Sequence, residues 1–249
     1  MFTIYRVFAK ELGSYFSSAS SYIFLIVFTI LAPSLFFFMG SFFREQAASM
    51  GAFFAFVPWI FMFFIPAVSM RMWAEEKKQG TEELLMTLPV RDWEVVLGKY
   101  LASLMLITIA LALTFPIYLT VQFFAESSVN PNVPAPDLGP IICGYLACFL
   151  LGASFLALGS WCSSLTREQI VAFIISCTLS FVFVLIGYNF ITQPLPALVG
   201  EILTQLSPTP HFQQMYRGVI ELQNITYFVS FVILFLFLNV RSIESRKWK

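Results

Sequence analysis

Six stretches of this chain stay apolar for the length of a lipid bilayer, near residues 22–42, 52–70, 95–124, 138–165, 170–190 and 225–240. Crossing the hydrocarbon core as a helix takes about 20 predominantly apolar residues. In hydrocarbon each backbone N–H and C=O must be satisfied within the spanning structure, so runs of this length fold as helices. The 11% share of charged residues agrees, being far below the roughly 25% of a soluble domain. The expected fold is therefore an all-α integral membrane protein of six transmembrane helices. Residues 1–249 form one domain, because spans and short links leave no room for a separate soluble one. The sixth run is short and is expected to begin earlier. Pro33, Pro58, Pro66 and Pro116 fall inside runs, where helix kinks are tolerated.

Residues 1–20 lack the cleavage site of a signal peptide and precede a run long enough to span. Tyr5, Phe8, Leu12 and Tyr15 recur at helical spacing, which predicts an interfacial helix with Arg6, Lys10 and Glu11 largely on the opposite face. Ser17, Ser18, Ser20 and Ser21 mark the bend into the membrane. In the fourth run Gly144, Gly152 and Gly159, with Ala147, Ala153, Ser154 and Ser160 around them, form a small-residue stripe. Such a stripe lets another helix approach closely, within one subunit or across a dimer. Cys143, Cys148, Cys162 and Cys177 all lie in apolar runs and read as packing residues.

Lys and Arg set the orientation. With the N-terminus inside, Arg6, Lys10, Arg71, Lys77, Lys78, Arg91, Lys99, Arg167, Arg241, Arg246, Lys247 and Lys249 are cytoplasmic, and only Arg44 and Arg217 are outside. Both termini are thus expected in the cytoplasm.

The longest charged stretch, residues 71–94, joins the second and third spans. Arg71, Glu75, Glu76, Lys77 and Lys78 close the second span, and Gly80 breaks the helix. Thr81 is placed to cap a short helix opening with Glu82 and Glu83, acids that suit the positive end of the helix dipole. Leu84, Leu85 and Leu88 share one face, Pro89 stops the helix, and Asp92 caps the next. A mere connection could be far shorter, so this elbow reads as a cytoplasmic docking element. Of the outer links, 125–137 is Pro-rich and aperiodic, whereas 191–224 carries two short amphipathic patterns, the second starting at Thr209-Pro210.

Several chemistries are disfavoured. Gly98-Lys99 lacks the rest of a phosphate-binding loop, so ATP is not bound by that route. No carboxylate or cysteine set has metal-ligand spacing, and the lone His211 between Pro210 and Phe212 reads as a capping or packing residue. The middles of the spans lack ionisable residues, which argues against a proton pump or an ion-coupled transporter. Any work across the membrane must then be powered by a partner through a cytoplasmic contact.

Two segments carry a family resemblance: the elbow AEEKKQGTEELLMTLPVRDWEVVLGKYLA, and the C-terminal run SPTPHFQQMYRGVIELQNITYFVSFVILFLFLNVRSIESRKW. They resemble the permease subunits of type-2 ABC exporters (the ABC-2 group, type V exporter fold), most of all those of the gliding-motility-associated (Gld-type) branch. The resemblance implies a non-catalytic permease of the bacterial inner membrane, working as a dimer on separate cytoplasmic ATP-binding subunits that hold ATP and Mg. It also implies a coupling helix between spans two and three, carried here by Glu75, Glu76, Gly80, Thr81, Glu82, Glu83, Leu84 and Leu85. The acids would meet basic groups of the ATPase and the leucines would fill its groove. In the Gld-type branch a large membrane-anchored extracytoplasmic protein is associated, for which His211, Phe212, Tyr216 and Arg217 are the candidate contacts. The implied function is ATP-driven export or extraction of an unknown substrate. The alternative is mechanotransmission, in which the motion drives the outer partner and nothing crosses; a stand-alone transporter or membrane enzyme and a passive scaffold are the remaining rivals.

Overall fold

The structure, a computed structural model, describes residues 2–40, 49–80, 91–127, 136–194 and 196–245. The described residues are all-helical, and six helices or helix runs among them are long and apolar enough to cross a membrane. Helix α1 covers Phe2–Ser17; α2 covers Ala19–Ser34 and runs into a single π-helical turn, Leu35–Met39, just past Pro33. The second crossing is α3, Gly51–Ser69, followed by α4, Arg71–Gln79. The third is divided at Thr114 into α5, Asp92–Leu113, and α6, Phe115–Ser127. Pro116 causes that division: it has no N–H to give the preceding turn, and it fits the first turn of α6. The fourth and fifth crossings are α7, Leu138–Leu165, and α8, Gln169–Ile186. Short helices α9 (Asn189–Thr192), α10 (Ala197–Leu206) and α11 (Pro208–Tyr216) precede the last crossing, α12 (Leu222–Glu244). The sixth span thus starts before residue 225, as its short apolar run led one to expect.

The core is built around α7, which packs against α3, α4, α5, α8, α11 and α12. Its small-residue stripe is used up inside the chain. Gly144 faces the ring of Phe54, Gly152 lies under Ile107 and Phe61, and Gly159 meets Ser69 and Ser176. The intrasubunit reading of that stripe is the one the packing adopts. Cys148 and Cys162 are buried on the same helix, and no cysteine among the described residues is in a disulfide. Outward faces of α2, α8 and α12 expose Ile26, Ile30, Ile174, Phe181, Ile233 and Phe237, the apolar surface that lipid covers.

One end of this bundle gathers the start of α2, the end of α3, the start of α5 and the end of α7. We refer to it as the elbow end and to the other as the far end. Helix α1 lies along the first half of α5, and the two backbones come close at Gly98, where a side chain would stand 2.8 Å from Val7 Cβ. The face of α1 turned to the bundle carries both apolar and charged residues. Tyr5 is 68% exposed, whereas Ile4, Val7, Glu11 and Tyr15 turn inward. A cation buried in α5 draws Glu11 into the packed face, beside Tyr15.

Candidate functional site

The elbow begins at a break in the helix at Met70. Ser163 of α7 fills that break. Its hydroxyl donates to the Met70 carbonyl at 2.9 Å and accepts from the N–H groups of Trp73 and Ala74, each at 3.1 Å. The first turn of a helix has unpaired N–H groups that normally find a side chain just upstream; here the cap comes from another helix. Farther along, the Lys77 ammonium donates to the Ser164 carbonyl, so both ends of this turn are fastened to the end of α7. Helix α4 stops at Gly80, whose φ of +71° is the left-handed conformation that ends a helix without a Cβ clash. Gly80 therefore occupies the breaker position its sequence context predicts.

Under α4 lies the cation. Lys99, on the second turn of α5, is 3% exposed. Its ammonium donates to Glu76 at 2.6 Å, to Glu11 at 3.2 Å and to the Met72 carbonyl at 3.2 Å, and it stands 5.1 Å from the centre of the Trp73 ring. Three donors thus meet three oxygens from α1 and α4, which fully satisfies a buried ammonium. One turn on, Ser103 gives its hydroxyl proton to the Lys99 carbonyl at 3.1 Å, so Tyr15 is the donor in the 2.7 Å bond between Tyr15 and Ser103. Burial pushes the Tyr15 phenol up to about 12, which keeps it a neutral donor. Helices α1, α4 and α5 are joined through one buried charge cluster.

Of the elbow residues singled out in the sequence, Glu75 is partly buried and accepts from Gln79 at 3.4 Å, and Glu76 is turned inward to Lys99. Thr81, Glu82, Glu83, Leu84 and Leu85 lie outside the described residues, as do Leu88 and Pro89. The expected cap at Asp92 is displaced by one residue: Arg91 is the N-cap and Asp92 opens the helix. The Arg91 N–H reaches the Glu94 carboxylate at 3.4 Å, which a carboxylate three residues into a helix can do and one at position 92 cannot.

At the far end, His211 and Phe212 are buried, so they offer no surface to a partner. His211 stacks on Tyr227 with centroids 4.2 Å apart, and its Nδ1 lies 2.8 Å from the side chain of Asn224 and its Nε2 3.3 Å from the Gln205 carbonyl. A neutral imidazole protonated at Nε2 fits once the Asn224 amide is turned so that its otherwise unpartnered Nδ2 donates to Nδ1. This is the packing role anticipated for a lone histidine. Tyr216 is partly buried against Phe54 and Arg217 is exposed.

Sequence reasoning missed Lys99, Glu11, Lys77 and Ser163. Lys99 looked like a flanking cytoplasmic charge, and its partner Glu11 is 88 positions away. The usable signal was a lysine eight residues into a helix that then turns apolar, where a buried ammonium demands carboxylates from elsewhere.

A family model described as "ABC-2 family transporter protein" matches residues 60–243, well over half of the chain. No curated protein matches the sequence.

Proposed function

The chain belongs to the ABC-2 family of transporter proteins, membrane components of ABC systems whose ATP-binding subunit is a partner chain, and from that premise we propose that its elbow is the contact through which ATP hydrolysis reaches the spans. The observation that carries this reading is the bracing of α4. A helix capped by Ser163, tied to Ser164 and clamped over Lys99 cannot tilt without moving α1, α5 and α7. A solvated connection has no use for such attachment.

On this reading residues 1–249 act as one permease domain with both termini cytoplasmic in a bacterial inner membrane, and the elbow spans 71–94. Glu75, Glu82 and Glu83 meet basic groups of the ATP-binding subunit, and Leu84 and Leu85 enter its groove. Glu76 acts from behind, holding α4 to Lys99. On the same reading the chain is a Gld-type permease working as a homodimer, which the resemblance of the elbow and the C-terminal run supports. ATP and Mg sit in the partner, and the work done is export or extraction of a substrate. Of the far-end candidates, Tyr216 and Arg217 remain open to an extracytoplasmic protein, whereas His211 and Phe212 support them from within.

The test is co-purification with co-expressed neighbouring gene products, followed by an ATPase assay, with and without Glu82→Arg plus Glu83→Arg. The expected result is a nucleotide-binding subunit that co-purifies with the native chain and is lost or uncoupled by the charge reversal. A folded chain that retains no such subunit in either form refutes docking at the elbow.

A further inference from the structure

A cavity of about 910 Å³ opens at the elbow end, between the α1–α2 corner, the α3–α4 break and α5, with Phe173 of α8 at its edge. Its two halves differ in chemistry. One is polar, with Lys10, Ser14, Ser18, Ser20, Arg71 and Glu75. The other is apolar, with Phe24, Val27, Phe63, Phe64, Leu106 and Phe173. The halves meet at the level where α2 begins and α3 ends, the depth at which a bilayer changes from headgroups to chains. Val27 and Phe63 are exposed, so the apolar half opens sideways, toward the region that lipid chains occupy.

The charges in the polar half are not equivalent. Lys99 is answered by both Glu11 and Glu76. Arg71 is bonded to the neutral hydroxyl of Ser20, and neither Arg71 nor Lys10 is in an ion pair among the described residues. Glu75 is one helical turn beyond Arg71, its carboxylate bonded to Gln79. The site therefore presents a guanidinium fork whose bonded partner is a hydroxyl, an ammonium near enough to Glu76 to favour its carboxylate, a second carboxylate farther out, and aromatic walls running into the membrane. A guanidinium with adjacent hydroxyls is suited to a phosphate. A second copy of the chain would have to bring an anion into its own apolar face, since an apolar helix here would bury a guanidinium that is bonded to a neutral hydroxyl. Water alone would leave the aromatic half wet.

We propose that this cavity binds a glycerophospholipid of the adjoining leaflet. The phosphate lies against Arg71 and Lys10, and an acyl chain runs along Phe24, Phe63 and Phe64. The assignment stands whether or not the elbow docks an ATPase, because it rests on this cavity and on membrane embedding alone.

The test uses the full chain in phosphatidylcholine nanodiscs doped with a phosphatidylethanolamine that carries a photoactivatable diazirine in its acyl chain, followed by mass spectrometry of the labelled peptides. The expected result is labelling of the Phe24 and Phe63–Phe64 peptides above that of the exposed Ile233–Phe237 face. Arg71→Gln should reduce this labelling about tenfold, the effect of losing one charge-assisted contact, while Arg71→Lys retains most of it. A diazirine diacylglycerol, which has no phosphate, should label the cavity no more than it labels α12. Equal labelling by the diacylglycerol, or no loss in folded Arg71→Gln, overturns the proposal. So does efficient disulfide formation between two copies of Phe63→Cys, which would show that a second copy covers the wall. If Arg71→Gln does not fold, the comparison of the two lipids on the native chain decides.

Discussion

The two ends of the bundle solve the same problem with different chemistry. At the elbow end a full positive charge is buried and answered by two carboxylates from separate helices. At the far end the buried polar groups are neutral: His211 with Asn224 and Gln205, Ser207 donating to the Phe183 carbonyl at 2.8 Å, and Thr209 donating to the Val184 carbonyl at 3.0 Å. A neutral hydrogen bond that breaks costs about 1–3 kcal/mol, whereas a buried charge left without its partner costs about 3–5 kcal/mol. The ion cluster therefore forbids α1, α4 and α5 to separate, while the far-end contacts hold α11 onto α8 with a softer penalty. The two ends thus differ in how much their opening costs.

The comparison predicts an order of effects on thermal stability in detergent. Lys99→Met should be the most damaging, by about 3–5 kcal/mol, because it leaves Glu11 and Glu76 facing an apolar site. Adding Glu11→Gln and Glu76→Gln to it should restore most of the loss; failure to recover would mean that the lysine stem, not the charge, matters there. Ser163→Ala comes next, at about 2 kcal/mol, since it strands the Trp73 amide and takes a second partner from the Met70 carbonyl and the Ala74 amide. Hydrogen exchange should rise first at those two amides. His211→Phe keeps the stack on Tyr227 but removes both polar contacts, and should cost about 1–2 kcal/mol. If it costs as much as Lys99→Met, the contrast between the ends is lost. Lys78→Ala should change stability by under about 0.5 kcal/mol, because both partners of the Lys78–Glu168 pair are 60% exposed.

Local pattern was enough wherever one segment decides its own structure. The fourth span occupies 138–165 in the sequence reading and Leu138–Leu165 in the fold, and Gly80 ends a helix where a glycine after a charged run suggested it. The small-residue stripe was legible as a close-packing surface, but its partner was not, because Phe54, Ile107 and Ser69 come from other spans. The same limit explains the rest. The position of Glu11 follows from a lysine far away in sequence, so spacing within α1 did not show that it packs beside Tyr15. The extra break at Thr114 turned on whether Pro116 kinks a continuous helix or starts a new one, and periodicity does not distinguish the two. The elbow site was half legible: its charged helix and its glycine could be read, but the serine that caps it belongs to a span whose polar residues look like any small-residue filler.

That serine has a mechanical consequence. With its hydroxyl set into the break at Met70, Ser163 is a fulcrum, and the nine residues of Arg71–Gln79 are a lever about 13 Å long at the usual helical rise. Turning the lever by 10° sweeps its Gly80 tip through only about 2 Å, but the pivot is mounted on the helix around which the core is built. Any displacement of the tip would therefore be felt as torque at the end of that helix.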